Sequence, residues 1–301
     1  MAKVLVIGAS GFVGTAVLSA LERNGHEAVA ARAPRVEAST EDWSEEDHAF
    51  FEKQLVGVDA AVNAAGLAEA TSTDRQSLIA ANALLPGIIA FECSRLNIRL
   101  VHVSSAAVQG RRKLLDATSY TEPFSPYSHS KAIGESNVLR HPGCIVYRPP
   151  GVHGVNRRIT QKLSTLADSP LSTVAGTGKA NTPQALIENV ADAISHLATH
   201  PQQPPPIVSH PSEGLTTDLL LRLLGRKPPR KIPENVARFV VDFAYKASSV
   251  NPNLKGHARR LELLWFGQMQ AESWLTQAGW IPPFGLSSWS DIGNTINDKR
   301  D

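Results

Sequence analysis

An apolar run followed by a glycine-rich loop occupies residues 4–14. It reads Val4-Leu5-Val6-Ile7-Gly8-Ala9-Ser10-Gly11-Phe12-Val13-Gly14. The run is typical of a buried strand, and a helical spacing of apolar residues follows over Val13–Arg23. Glycines spaced GxxGxxG between a strand and a helix permit a tight turn and a close approach of the backbone to a pyrophosphate. The helix N-terminus then offers free N–H groups to the phosphates. The segment predicts a dinucleotide-binding loop, and a simple tight turn is the alternative.

Short apolar runs alternate with helix-like stretches through the first half of the chain. Buried strands that alternate with helices are typical of βαβ units and a parallel sheet. We therefore predict an α/β fold with a Rossmann-type, doubly wound parallel sheet. The predicted strands are Val4–Ile7, Ala28–Ala31, Asp59–Asn63, Leu100–Val103 and Ile145–Tyr147, and a long amphipathic helix is predicted over Leu78–Leu96.

The character of the chain changes after Gly154. The proline-rich stretch Pro201–Pro211 cannot be helical. Helices are predicted over Leu215–Leu224 and Val236–Ser248, and a last amphipathic stretch follows the turn Pro282–Gly285. We predict a dinucleotide-binding Rossmann domain over 1–154, to which 184–200 returns. A smaller, mostly helical substrate-binding lobe is predicted from 155–183 and 201–301.

Composition and charge exclude several classes of protein. With 30 basic and 28 acidic residues the formal net charge is only +2, which gives no electrostatic footprint for nucleic acid. The two cysteines, Cys93 and Cys144, lie in apolar stretches and are expected to be free thiols in a reducing compartment. We see no run of about 18 apolar residues and no cleavable leader pattern. We expect a cytoplasmic protein with no membrane span and no metal site.

The end of the second predicted strand bears on which dinucleotide is bound. An Asp or Glu there would take the ribose hydroxyls of NAD, whereas a nearby arginine accommodates the extra phosphate of NADP. This position carries no acid, and Arg32 and Arg35 follow it. The sequence favours NADP(H) over NAD(H), with solvated loop charges as the alternative.

Tyr127 and Lys131 lie four residues apart at the start of a predicted helix. Ser125 is a suitable N-cap and Pro126 a suitable first helical residue. Spacing of four places the phenol and the ammonium on one helix face, where the ammonium is expected to lower the pKa of the phenol. Ser105 follows a predicted strand, so its hydroxyl is expected at the ligand-binding edge of the sheet. Such a set can exchange a proton with a carbonyl or alcohol, although a surface Tyr/Lys pair alone is common.

Four motifs in order and approximate spacing resemble the extended short-chain dehydrogenase/reductases, the NAD(P)-dependent epimerase/dehydratase family, which acts mainly on nucleotide sugars. The resemblance implies an enzyme with Ser105, Tyr127 and Lys131 as catalytic residues, and it implies a homodimer. Asn82 matches a family asparagine, with a helix-interior polar contact as the alternative. The motifs are the glycine loop, Ser104–Gly110, the Tyr127/Lys131 pair and Arg148–Gly154. The predicted cofactor-binding residues are Gly8, Ser10, Gly11, Phe12, Val13, Gly14, Arg32, Arg35, Asn63, Ala64, Ala65, Gly66, Asn82, Tyr127, Lys131, Pro149 and Val152.

Departures from the family pattern narrow the expected reaction. Ala106 and Ala107 stand where sugar 4,6-dehydratases carry Asp-Glu, which argues against dehydration. Gln109 and His153 stand where tyrosine is usual, and Arg157 is one of the arginines left to contact substrate phosphates. We expect hydride transfer at a ring carbon of a nucleotide-diphosphate sugar, by epimerisation or 4-keto reduction. An NADPH-dependent reductase of a non-sugar carbonyl and a dinucleotide-sensing regulatory protein are the alternatives.

Overall fold

The computed structural model describes residues 1–68, 74–250 and 254–300. Its strands are β1 (Lys3–Ile7), β2 (Glu27–Ala31), β3 (Ala60–Asn63), β4 (Arg99–Val103), β5 (Leu114–Leu115), β6 (Cys144–Arg148), β7 (Gly151–His153), β8 (Thr173–Ala175), β9 (Gln184–Leu186), β10 (Ile207–Ser209), β11 (Arg230–Ile232) and β12 (Met269–Gln270). Its α-helices are α1 (Phe12–Arg23), α2 (Glu45–Leu55), α3 (Arg75–Ile79), α4 (Leu85–Arg95), α5 (Pro126–Val138), α6 (Arg158–Asp168), α7 (Ile187–Thr199), α8 (Thr217–Leu224), α9 (Glu234–Val250), α10 (Lys255–Phe266), α11 (Trp274–Gln277) and α12 (Leu286–Asp298).

A six-stranded sheet forms the centre, in the order β10-β6-β4-β3-β1-β2. Every neighbouring pair in it is parallel. The chain runs outward from β1 to β2 and then crosses back to β3 on the other side of β1. The strand order therefore reverses between β1 and β3, which is where doubly wound folds bind ligands. The predicted α/β doubly wound fold is confirmed.

Helices cover both faces of this sheet because side chains on a strand alternate between faces. On one face Val4, Val6 and Val62 pack against α1 and α7. On the other face Leu5 and Ile7 pack against α2, α4 and α5. Strands buried on both faces need continuous apolar runs, which explains why β1 and β4 could be recognised in the sequence.

The predicted long helix Leu78–Leu96 is present but interrupted. Asp74 caps α3, a π-helical turn follows over Ala80–Leu84, and α4 continues to Arg95. Among the described residues, Arg75–Arg95 is the one helix long and apolar enough to cross a membrane, with a mean hydropathy of 1.5. Half of its most apolar window is buried inside the protein. The expected absence of a membrane span stays a prediction.

One strand lies where the sequence predicted only a connection in the smaller lobe. β10 falls inside Pro201–Pro211 and pairs with β6 at the edge of the central sheet. The prolines flank it, so residues 207–209 keep the N–H groups that a strand needs. The assignment of residues 207–209 to the substrate lobe was therefore wrong. The remaining domain bounds stay predictions.

The last third of the chain packs as a second, mainly helical layer. Leu220, Leu221 and Trp289 join α8 to α12 in one apolar cluster. The buried Glu213 carboxylate links this layer to the rest, because it accepts hydrogen bonds from the backbone N–H of Leu186 and the indole N–H of Trp289. The lobe is thereby held beside the carboxyl ends of the central strands.

Candidate active site

The predicted site residues gather along one edge of the central sheet. Gly8 follows β1, Arg32 follows β2, Asn63 ends β3, Ser105 follows β4 and Pro149 follows β6. Because all these strands are parallel, their carboxyl ends meet at one edge. Residues as distant in sequence as Gly8 and Val152 are thus brought to a single cleft.

Two glycines of the loop, Gly8 and Gly14, have no room for a side chain. Gly8 has a φ of +79°, and a Cβ there would lie 2.5 Å from the backbone nitrogen of Ala65. A Cβ on Gly14 would lie 2.1 Å from the carbonyl oxygen of Gly8. Gly11 is the N-cap of α1 and provides no capping side chain, so the first N–H groups of the helix remain available to an anion. A pyrophosphate fits this loop.

Arg32 and Arg35 are exposed just beyond β2. β2 pairs with β1 in register, Ala31 beside Ile7, so both arginines lie near the glycine loop. Gln54 brackets the backbone of Arg32, accepting from its N–H at 3.0 Å and donating to its carbonyl at 2.8 Å. Among the described residues neither arginine has a carboxylate partner. Both guanidinium groups are available to a phosphate.

Asn82 positions the loop that follows β3. Its side-chain amide donates to the Leu67 carbonyl and accepts from the Leu67 N–H, both at 3.0 Å. It also donates to the Ser130 hydroxyl on α5 at 3.1 Å. Asn82 is fully buried, and a Cβ on Gly66 would lie 2.6 Å from its oxygen. This geometry fits the alternative interpretation of Asn82, which is a polar contact inside the protein.

Ser105 and Tyr127 share a hydrogen bond between their side chains. Ser105 begins a short 3-10 helix, and Tyr127 lies in the first turn of α5, behind a Ser125–Ser128 capping box and Pro126 at the helix start. Burial raises the pKa of Tyr127, while the hydrogen bond from Ser105 and the charge of Arg157 act in the opposite direction. The expectation of a lowered pKa for Tyr127 was therefore wrong for this structure. Desolvation of the phenolate outweighs the effect of the Arg157 charge.

Lys131 lies one helical turn further on and is buried. Its ammonium donates to the Val103 carbonyl at 3.0 Å, beside Gly66. Burial lowers the pKa of Lys131 to about 8, although Glu135 opposes this shift. Ser105, Tyr127 and Lys131 all lie by the carboxyl end of β4, and their catalytic roles stay a prediction.

Arg157 is a cation that sequence reasoning assigned only to substrate phosphates. It is the N-cap of α6, and its guanidinium carbon lies 4.6 Å from the centre of the Phe12 ring. Its charge acts on Tyr127, and burial lowers the pKa of Arg157 itself. Arg157 has no carboxylate partner among the described residues. It therefore connects the glycine loop with the Ser105/Tyr127 pair, and no motif in the sequence signals this.

Arg148 belongs to a buried network that holds α5 in place. Its guanidinium forms a buried ion pair with Glu135 at 2.6 Å and donates to the Thr118 carbonyl at 2.7 Å. Glu135 also accepts a hydrogen bond from the Ser104 hydroxyl at 2.5 Å. The same network lies one turn along α5 from Lys131 and fixes the helix against β4 and β6.

Gln109 and His153, which stand where the family usually has tyrosine, make buried polar contacts. Gln109 donates to the Asp116 carboxylate at 2.8 Å. His153 bonds Thr160 at 3.1 Å and Gln184 at 2.8 Å, and burial lowers the pKa of His153 to about 4. Both side chains hold loops in place, which explains how the fold tolerates the loss of tyrosine there.

One cavity lies outside this site. It has a volume of about 610 Å³ and lies at the amino ends of the strands, between residues such as Asp59, Arg99 and Gly143. A groove of about 400 Å³ does adjoin the site, beside Gly11, Phe12 and Gly154. Within the described residues there is no cluster of three or more His, Cys, Asp or Glu suited to a metal ion.

The chain belongs to the NAD dependent epimerase/dehydratase family, whose model matches residues 4–209. It is therefore an NAD(P)-dependent enzyme of the oxidoreductase/epimerase class, and the glycine loop described above fits a nicotinamide dinucleotide. A comparison with curated proteins gives no match.

Solved structures of low sequence identity share the fold over the whole chain. A dTDP-4-dehydrorhamnose reductase from Bacillus anthracis, in complex with NADP, is 13% identical with a TM-score of 0.67, covering 100% of both chains. A UDP-glucuronic acid 4-epimerase from Bacillus cereus, in complex with NAD, is 18% identical with a TM-score of 0.66, covering 99% of this chain and 98% of that one. The terminal R domain of the myxalamid PKS-NRPS pathway is 18% identical with a TM-score of 0.67, covering 100% and 91%.

Proposed function

We propose that this protein reduces a keto group on the ring of a nucleotide-diphosphate sugar with NADPH. The observation that carries the proposal is the grouping of Ser105, Tyr127 and Lys131 beside the glycine loop, with alanines at 106 and 107. The bound nicotinamide supplies the hydride. Two of the related structures are a reductase and an epimerase of nucleotide sugars, which supports the substrate class.

Tyr127 is the proton donor to the carbonyl oxygen. Because burial raises the pKa of Tyr127, the phenol is protonated at neutral pH, as a donor must be. Ser105 holds the substrate oxygen and the tyrosine hydroxyl in line. After the proton leaves, the charge of Arg157 stabilises the phenolate, and Lys131 orients the cofactor ribose.

Dehydration is disfavoured by the residues after Ser105. Removal of water requires an additional acid and base near the sugar, and Ala106 and Ala107 supply neither. The backbone N–H of Ala106 donates to the Pro149 carbonyl at 2.9 Å, so this segment is used to join two loops of the cleft.

The preference for NADP(H) rests on Arg32 and Arg35. Both are exposed beside the glycine loop with no carboxylate partner among the described residues. The 2′-phosphate of NADPH is the anion that they would bind. An R32A/R35A variant is expected to bind NADPH at least tenfold more weakly and NADH unchanged.

Identification of any co-purifying dinucleotide by mass, followed by titration of stripped protein, tests the proposal. A reductase is expected to be isolated empty and to bind NADPH more tightly than NADH. Tightly retained NAD that resists exchange would instead assign an epimerase, which returns the hydride to the same carbon. Firm NADPH binding with no turnover of any keto sugar or other carbonyl would instead favour a dinucleotide-sensing regulatory protein.

We also propose that the protein is a cytoplasmic homodimer. Both cysteines are free and buried, as suits a chain kept in a reducing compartment. Phe91 is exposed on α4, which packs against α5. Light scattering is expected to give twice the chain mass, and Phe91→Asp to give the monomer.

A further inference from the structure

The outer face of α9 carries an apolar stripe. Val236, Phe239, Val240 and Phe243 are spaced i, i+3, i+4, i+7, so they lie on one side of the helix. Phe239 is 71% exposed and Phe243 is 65% exposed. Burial of such a ring strengthens binding by roughly tenfold or more. Soluble monomers rarely expose a contiguous apolar patch of this kind.

The opposite face of α9 already has its partners. Ala237 and Val241 pack against Trp265 of α10, and Tyr245 donates a hydrogen bond to Glu262 at 2.7 Å. Arg111, in the loop beyond Ser105, stacks on the Tyr245 ring. The exposed stripe therefore lies on the side of α9 opposite these contacts, and the reaction proposed above does not account for it.

Positive charge adjoins the stripe. Lys227, Arg230 and Lys231 are exposed in the segment that leads directly into α9, and none has a carboxylate partner among the described residues. Lys246 adds a fourth exposed cation on the helix itself. Of the two acids on α9, Glu234 pairs with Arg238 at 2.5 Å, and Asp242 is exposed beside Phe243.

A second apolar side chain lies beside the basic segment. Leu171 is 73% exposed. The next residue, Ser172, accepts a hydrogen bond from the Arg230 N–H at 2.8 Å, where β11 pairs with β8. Exposed leucine and phenylalanine side chains are thus combined with unpaired cations on one part of the surface.

We propose that α9 and the segment 227–231 dock this enzyme onto an anionic lipid surface. The phenylalanine rings insert at the boundary of headgroups and acyl chains, while the cations contact the lipid phosphates. Charge complementarity selects a membrane over a second copy of this chain, since the same basic segment on a partner would repel it. The protein lies on the membrane and does not cross it.

Sedimentation with lipid vesicles tests this proposal. Wild-type protein is expected to sediment with vesicles of equal parts phosphatidylcholine and phosphatidylglycerol, and to stay in solution with phosphatidylcholine alone. Phe239→Ser/Phe243→Ser is expected to weaken binding at least tenfold, because each ring loses its burial in lipid. Lys227→Gln/Arg230→Gln/Lys231→Gln is expected to weaken it about 100-fold and to remove its sensitivity to salt.

A matched control removes apolar side chains elsewhere. Val56 and Ile281 are 74% and 80% exposed and lie on neither α9 nor the basic segment, so Val56→Ser/Ile281→Ser should bind vesicles as wild type does. Unchanged dinucleotide binding in all variants shows that they fold. Wild-type protein that does not sediment with the anionic vesicles would overturn the proposal. So would a Phe239→Ser/Phe243→Ser variant that binds normally, or one that only converts a dimer to a monomer.

Discussion

At the scale of single residues, Arg157 is the feature that the structure adds to the candidate site. Its guanidinium stacks on Phe12 and its charge acts on Tyr127. Ser105, Tyr127 and Lys131 were expected because the resemblance to the epimerase/dehydratase family implies them as catalytic residues. Arg157 was not expected in this role, since its position depends on how α6 begins beside the glycine loop.

Replacement of Arg157 by glutamine should change the pH dependence of catalysis. Loss of the cation raises the pKa of Tyr127 further, so the pH at which alcohol oxidation becomes fast should rise by about one unit. We expect kcat to fall about tenfold at neutral pH in that direction. Arg158→Gln, at the exposed neighbouring position, is the control and should keep the wild-type profile. Identical profiles for both variants would remove Arg157 from the mechanism.

Lys131 makes folding stability depend on pH. Its pKa is about 8 in the folded state and 10.5 when unperturbed. Between these values the unfolded chain binds more protons, so stability rises with pH over this window, and below pH 8 the buried charge costs its full amount. In denaturant unfolding, the free energy of unfolding of the wild type should rise by about 3 kcal/mol relative to that of Lys131→Met between pH 8 and pH 10.5. A constant difference would mean that the pKa is not lowered.

The Glu135–Arg148 pair should behave as a buried ion pair. Its side chains are almost fully inaccessible. Arg148→Met leaves the carboxylate without its partner and should cost about 3–5 kcal/mol of unfolding free energy. Glu135→Leu/Arg148→Met removes both charges and should recover part of this loss. A double variant as unstable as the single one would show that packing, not charge, sets the cost.

At the scale of elements, the glycine loop gives the sharpest test of geometry. A Cβ on Gly14 would lie 2.1 Å from the Gly8 carbonyl oxygen, so Gly14→Ala must displace α1 from β1. We expect loss of dinucleotide binding, measured by titration, and a lower melting temperature. Gly285→Ala is the matched control, because nothing lies within 4 Å of its Cβ. Normal cofactor affinity in Gly14→Ala would contradict the assignment of the loop.

Elements with a strong local pattern were predictable, and elements that depend on tertiary contacts were not. The strands β1, β2, β3, β4 and β6 follow from apolar runs, and α9 from helical spacing. β10 was missed because the prolines around it dominate the local pattern, whereas its pairing with β6 decides its structure. The π-helical turn at Asn82 was also missed, since it depends on contacts with the β3 loop and α5.

At the scale of the whole molecule, parallel strands determine where the chemistry lies. All six strands of the central sheet end at one edge, which brings the glycine loop, Ser105 and Pro149 together from distant parts of the chain. The sequence predicted this edge from topology alone. It did not predict the raised pKa of Tyr127, because that depends on the burial created when the lobe and the sheet pack together.

The transfer of a labelled hydride tests the central claim most directly. The protein is incubated with NADPH that carries deuterium at both positions of the nicotinamide C4 and with a nucleotide-diphosphate 4-keto sugar, and the product is analysed by mass spectrometry and NMR. We predict deuterium on the sugar ring carbon that carried the keto group, with a rate at least 100-fold lower in Tyr127→Phe. Absence of deuterium from the product, or an unchanged rate in Tyr127→Phe, would contradict the account.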